Sequence, residues 1–259
     1  MIQQNGEAFR QAIEATTIQE LPTVIDQRIM NRLKDTLRHT GLVLLGEIHG
    51  VQENPLIIYT LIKQLGCRGL ALEWRGSLKS VVQTFIETGQ LAYDAIEDNQ
   101  DGRITAGHFA LLRKLHTEGL LDQLILFDLD FQQWLVDTHP RNFWNKRDMM
   151  MASTILVEKS VNIPLLVVSG NAHTRLSFRD KLLMAFQMHN FPKPMGDHIR
   201  TRLPATPSII IKYLSGHYHN MSLKTIQASR TRFTQARLYR HWPNRYIYEL
   251  PEAHAAIIP

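Results

Sequence analysis

The sequence predicts an α/β fold: a three-layer, mostly parallel central sheet with helices on both faces. Three observations predict it. Short unbroken apolar runs at residues 42–45, 69–72, 124–127 and 164–168 stop at glycine or at an acid. Such runs, bounded by turn signals, read as strands buried on both faces. Helical patterns lie between them, and strands alternating with helices build a parallel sheet. The chain has 259 residues, 44% hydrophobic and 20% charged, an ordinary globular composition long enough for a substantial core. One α/β domain over residues 1–259 is the expectation.

The elements follow in order. Residues 1–40 read as an N-terminal helical segment, with Ile25, Ile29, Leu33 and Leu37 at helical spacing until Thr40-Gly41 stops them. The first strand ends at Gly46. Asn54-Pro55 opens a helix with proline in its first turn, and Leu56, Tyr59, Leu61, Ile62 and Leu65 give it apolar faces. A strand ending in Glu73 and a helix over 77–87 come next. Residues 94–107 are polar and irregular, with an acidic turn at 97–104. A helix over 108–117 leads to the strand ending at Asp128. A long helix from 140 to about 160 is broken by Asn162-Ile163-Pro164, and the next strand ends at Gly170. A helix over 175–189, a proline-rich loop over 192–207, and strands at 208–214 and 245–250 complete the chain. Residues 190–245 are expected to form a basic loop and helical lid.

The strand ends carry the chemistry. Gly46-Glu47-Ile48-His49-Gly50 and Gly170-Asn171-Ala172-His173 each place a histidine three residues past a glycine. Two other strands end in Glu73 and in Asp128, with Asp130 beyond. Open parallel sheets bind ligands at the carboxyl ends of their strands, so His49, His173 and the acids are expected at one crevice. On the long helix, Arg147 lies among Phe143, Met150 and Thr154, with Asp148 on the adjoining stripe. A cation on an apolar stripe is costly unless paired, and Glu47 and Glu73 are its expected partners. Gly216-His217-Tyr218-His219 is a third histidine turn that either lines the cleft or lies on the surface. His108 has no nameable partner and reads as structural or exposed.

Two mechanisms suit these residues. A histidine takes a proton from water while a carboxylate fixes its tautomer. Alternatively His49, His173, Glu47 and Glu73 hold a divalent metal ion that activates the water. An arginine nearby binds an anionic group or a developing oxyanion. No G-x-S-x-G elbow or Walker loop is present.

Composition narrows the class further. No apolar run approaches the roughly 18 to 20 residues that span a bilayer, so no membrane span is expected. The first residues show neither a basic nor an apolar signal region. Cys67 is the sole cysteine, which suits a reducing compartment, and a cytoplasmic location is the expectation. The net charge is +5, yet residues 198–248 hold nine Lys or Arg and no acid. A basic segment suits an anionic partner. Arg230, Arg232, Phe233, Arg237 and Tyr239 interleave charge with rings as single-strand nucleic-acid binders do, but a lid over the cleft is the preferred reading and nucleic acid is the unfavoured one. The oligomeric state is left open.

These residues resemble a family. Gly46-Glu47-Ile48-His49-Gly50 with Glu53-Asn54-Pro55 is similar to the G-E-x-H opening of the ChaN-like group, which belongs with the erythromycin esterases and the Tiki proteases. The strand ending in Glu73, the helix stretch Arg147-Asp148-Met149-Met150-Met151-Ala152, the turn Gly170-Asn171-Ala172-His173 and the closing Arg245-Tyr246-Ile247-Tyr248 resemble the family's later motifs in order, from Gly46 to about Tyr248. The resemblance implies two histidine turns facing one cleft. It implies lactone hydrolysis by a histidine-activated water from the esterases, metal-dependent proteolysis from Tiki, and haem binding from ChaN. The chain departs from ChaN in showing no lipoprotein signal. It departs from the esterases in placing one residue, not two, between Glu47 and His49.

The expectation is therefore a hydrolase acting on an ester, lactone or peptide bond of a small-molecule or peptide substrate, with an anionic substrate in view. Glu47, His49, Glu73, His173 and Arg147 form its centre, and Asp128, Asp130, Asp148, Asn171, His217 and His219 stand behind them. A divalent metal ion is the candidate cofactor. A haem-binding protein without turnover, and a nucleic-acid-binding module, are the alternatives.

Overall fold

The computed structural model describes residues 2–130, 140–176 and 193–259. Ten strands are described: β1 (Thr23–Ile25), β2 (Leu42–Glu47), β3 (Gly69–Arg75), β4 (Gln123–Asp128), β5 (Leu165–Gly170), β6 (Ser208–Tyr213), β7 (Gly216–Asn220), β8 (Ser222–Ile226), β9 (Ala236–Trp242) and β10 (Arg245–Leu250). The helices are α1 (Ile2–Ala15), α2 (Gln27–Thr40), α3 (Asn54–Leu65), α4 (Lys79–Thr88), α5 (Ala106–Thr117), α6 (Pro140–Glu158) and α7 (Met195–Arg202). Eight strands form one sheet in the order β1-β9-β10-β6-β2-β5-β3-β4, and β7 pairs with β8 apart from it. Within the large sheet only β9 and β10 run antiparallel.

The unbroken apolar runs are explained by burial on both faces. Val43, Leu45, Leu70, Leu72, Leu166 and Val168 join a core with α1 to α5. Leu42, Leu44, Ala71, Leu165 and Val167 turn to the other side, against Met151 and Ile155 of α6 and Ile199 of α7. This gives the three layers. Each buried aliphatic side chain contributes about 1.5–3 kcal/mol relative to exposure.

The four strands expected to carry chemistry are neighbours: β2, β5, β3 and β4 stand side by side. Their parallel register brings their carboxyl ends to one rim, with Glu47 paired to Gly170.

Three local expectations are corrected. Residues 1–40 are not wholly helical: β1 interrupts α1 and α2 and pairs with β9 at the sheet edge. Pro22 lacks the amide a helix needs, β-branched Val24 and Ile25 favour a strand, and Asp26 starts α2 by accepting from the Arg28 amide at 2.8 Å. The proline-rich stretch contains α7. Within the basic loop and helical lid expected over 190–245, residues 216–226 and 236–242 form a hairpin, β7–β8, and a strand, β9, rather than a helix. The hairpin closes through Met221, a left-handed turn residue with φ 58°. The helix expected over 175–189 lies largely outside the described residues. Among the described residues, no helix is long and apolar enough to cross a membrane.

Candidate active site

The site begins with strand geometry. Between Leu72 and Arg75 the register of β3 against β4 slips: three steps on β3 match two on β4, from Leu126 to Asp128. Such a bulge re-aims a side chain, and it falls on Glu73. Glu73, Glu47 and Asp128 are buried at the rim, at 4%, 4% and 5% exposure. Helix α6 crosses beside them and delivers Arg147 and Asp148, both buried.

Arg147 ties the acids together. Its Nε and Nη2 donate to the two carboxylate oxygens of Asp128 at 2.8 and 2.9 Å, and Nη2 also donates to Glu73 Oε1 at 2.6 Å. A fork on a carboxylate is the strong form of such a contact. Nη1 lies 3.1 Å from His173 Nε2. A guanidinium only donates, so His173 Nε2 accepts, and its proton lies on Nδ1, donated to Asp148 Oδ1 at 2.8 Å. Asp148 Oδ1 accepts the Met195 amide as well, at 2.7 Å. His173 is thereby assigned as a neutral imidazole with both nitrogens engaged.

A second arginine completes the cluster. Arg103 donates from Nη1 to Asp128 Oδ2 and, at 3.5 Å, to Glu73 Oε1, and from Nε to Asp101 Oδ2 at 2.7 Å. Burial works to raise the Glu73 pKa, but the positive charges of Arg147 and Arg103 beside it outweigh that and hold the carboxyl well below its ordinary value.

His49 differs from His173. Its Nδ1 lies 3.0 Å from Glu47 Oε1. Burial tends to raise the Glu47 pKa, and the facing His108 and the bond to His49 bring it below the ordinary value. Glu47 is thus an acceptor, and His49 Nδ1 carries the proton. His49 Nε2 is left 3.8 Å from Glu73 Oε2, beyond a hydrogen bond, with the side chain 16% exposed. Burial lowers the His49 pKa, but the bond to Glu47 and the charges of Glu73 and Glu47 raise it above its ordinary value. Glycine is required opposite the ring: a Cβ on Gly170 would stand 2.9 Å from His49 Nε2. The Gly170 amide instead donates to Glu73 Oε2 at 2.8 Å. The resulting cleft is lined by Glu47, His49, Glu73, Trp74, Arg103 and His108 among others.

Two glycine turns hold His49 and Arg103 in place. The Gly50 amide donates to the Gly102 carbonyl at 2.8 Å, and the His219 amide on β7 donates to the Gly50 carbonyl at 3.0 Å. Gly102 has φ +80°, and its Cβ would stand 2.2 Å from the His219 carbonyl oxygen. Gly102→Ala is therefore expected to destabilise the protein by more than the roughly 1–3 kcal/mol of left-handed strain alone. Gly119→Ala is the control, because Gly119 has φ +63° with nothing within 4 Å. Urea denaturation of both variants reads the difference.

The remaining site expectations fare as follows. Arg147 is buried and paired, with Glu73 and Asp128 rather than with Glu47. Asp130 turns away to the Ser77 amide and hydroxyl. Asn171 serves the backbone, its Nδ2 donating to the Ile211 carbonyl at 3.1 Å. His217 is exposed, and His219 supports the Gly50 turn with its backbone. Cys67 is buried and its thiol is pushed up to about 12 by that burial. Arg237 of the basic segment is spent on Glu249 at 2.6 Å and stacks on Phe233. Arg103, Asp101 and His108 were missed. Their signal was the Asp101-Gly102-Arg103 turn and Thr105 standing three residues before His108, an N-cap spacing.

The donor set does not suit a metal ion. Among the described residues, no group of three or more His, Cys, Asp or Glu side chains is arranged to hold one. The guanidinium of Arg147 occupies the point between His173 Nε2 and Glu73 Oε1 where a cation would bridge them.

No family model matches the chain, and no curated protein matches it in sequence. Solved structures do match. A succinoglycan biosynthesis protein overlays with a TM-score of 0.66 at 11% identity, over 98% of this chain and 98% of that one. A protein from Bacillus cereus overlays with a TM-score of 0.62 at 10% identity, over 100% and 99%. The erythromycin esterase EreC, a histidine-to-asparagine mutant in its open conformation, overlays with a TM-score of 0.54 at 12% identity, over 78% and 79%. At these identities the likeness is one of fold, and the chain shares the α/β fold of the erythromycin esterase.

Proposed function

We propose that the protein hydrolyses a carboxylic ester or lactone with His49 as general base. The observation that carries this reading is the asymmetry of the two histidines: His173 has both nitrogens engaged, whereas His49 has Nδ1 on Glu47 and turns Nε2 to the cleft. Glu47 fixes the tautomer and stabilises the imidazolium. A water held between His49 Nε2 and Glu73 Oε2 gives a proton to Nε2 as its oxygen attacks the carbonyl carbon. The Arg103 guanidinium, the half-buried cation of the cleft, faces the negative charge that develops on the carbonyl oxygen. The imidazolium then returns the proton to the departing alkoxide, leaving a carboxylic acid and an alcohol. An alkoxide departs more readily than an amide nitrogen, which suits an ester or lactone. The erythromycin esterase fold lends further support.

The test is turnover of aryl ester and lactone panels, with and without chelator. Persistent hydrolysis under chelation is expected. Absence of turnover on every panel member, with intact folded protein, would remove the reading. The acid limb of kcat/KM reports the free base. Because the His49 pKa is raised, the reactive neutral form is lost as pH falls through a value above the ordinary 6.5. The limb is thus expected above pH 6.5; a limb at or below that value contradicts the Glu47–His49 pairing.

The haem reading keeps one favourable feature, the same free Nε2, which can serve as an axial ligand. Hemin titration decides it: a stoichiometric Soret shift that His49→Ala abolishes, in a protein without turnover, would replace the hydrolase reading.

A further inference from the structure

We propose that His108, a residue of α5 far in sequence from Glu47 and His49, is a positioning residue that acts through Glu47 on His49. The inference rests on His49 serving as the base. It begins with Thr105, the N-cap of α5, whose hydroxyl oxygen accepts the His108 amide at 3.3 Å. The same oxygen lies 2.9 Å from His108 Nδ1. A hydroxyl has one hydrogen to give. Given to Nδ1, that hydrogen leaves the ring proton of His108 on Nε2, the side on which the buried Glu47 carboxylate lies. That N–H faces Glu47 Oε2 at 3.8 Å.

The facing group needs it. Glu47 Oε2 is a buried carboxylate oxygen with no hydrogen-bond partner among the described residues, and an isolated buried anion is costly. At 3.8 Å the contact is an oriented dipole on a charge, not a hydrogen bond. His108 is 1% exposed and held edge-on to Trp74, with centroids 6.0 Å apart. Trp74 donates from Nε1 to the Arg103 carbonyl at 2.9 Å. Close approach of α5 is built in, because a Cβ on Gly107 would stand 2.9 Å from Pro55. Thr105, His108, Glu47 and His49 thus form one chain in which each group fixes the proton of the next.

Long-range proton–nitrogen correlation spectra of the wild-type protein, at alkaline pH where both rings are neutral, read those protons directly. The expected pattern is protonated Nε2 on His108 and protonated Nδ1 on His49. Any other pattern on either ring overturns the proposal, and this arm needs no substrate. In the second arm, His108→Phe keeps the packing on Trp74 and removes the donor. It is expected to lower kcat about tenfold or more, as loss of a histidine-orienting partner does, with KM unchanged, and to mix the His49 tautomers. His108→Gln, which returns an N–H at similar reach, is expected to recover most of kcat. Equal losses in both variants, or an unchanged His49 tautomer in His108→Phe, overturn the proposal. If no protein form hydrolyses any ester, the hydrolase reading fails while the tautomer pattern still decides the role of His108.

Discussion

His49→Ala is expected to cost two to four orders of magnitude in ester turnover, the usual contribution of a positioned general base, and to leave the fold intact. The imidazole turns to the cleft an Nε2 that makes no hydrogen bond to the described residues. Removing it leaves the Arg147 cluster untouched but takes from buried Glu47 the hydrogen bond on Oε1, so the fold should persist with a lowered thermal midpoint. The loss should appear in kcat rather than in KM, because the proton transfer belongs to the transition state. His173→Ala is the informative contrast. It removes an acceptor from Arg147 and a donor from Asp148, so it should lower stability first. If His49→Ala turned over a verified substrate at the wild-type rate, the base assignment would be wrong.

The largest stability effect is expected at Arg147. Arg147→Leu strips a cation from Glu73 and Asp128, both buried. Breaking a buried pair by removing one partner costs about 3–5 kcal/mol, since it leaves charge uncompensated. For a chain of this size that is a fall of roughly 10 °C in thermal midpoint. The sign with pH follows. Glu73 is held as a carboxylate well below its ordinary pKa of 4.5, so the stability it draws from its partners is full above that value and lost as pH falls through the native one. The gap between Arg147→Leu and wild type should therefore narrow in acid. Arg147→Lys keeps the charge but loses the planar fork, and should fall between. Calorimetry at neutral and acid pH reads all three. A variant as stable as wild type at neutral pH would show that Arg103 alone neutralises the cluster.

Much of the sheet was legible in the sequence because β2, β3, β4 and β5 are buried on both faces and so read as unbroken apolar runs. Their shared rim was legible because parallel strands deliver their ends to one side. The elements that were missed have weaker patterns for a physical reason. Strand β1 is three residues long at an edge, and β7 to β9 are largely solvent-facing and mix polar with aromatic residues. Sequence gave no means of separating them from a basic helix. Within the site, the histidine turns, Arg147 and its pairing with Glu73 stood out, but Asp128 as its other partner in place of Glu47 did not. The bulge in β3 sends Glu73 toward Arg147, and the Gly50–Gly102 contact brings Arg103 into the cluster. Both depend on register and on a loop-to-loop approach, which no local pattern encodes.

The most direct measurement is limited reaction with diethyl pyrocarbonate, followed residue by residue by peptide mapping as ester turnover is recorded. His49, with Nε2 open to the cleft, is expected to be modified in step with loss of activity. His173, capped by Arg147, and His108, buried behind Glu47, are expected to stay protected while the protein is folded. Modification of His173 at the pace of His49, or full activity with His49 modified, would contradict a site built on one free imidazole.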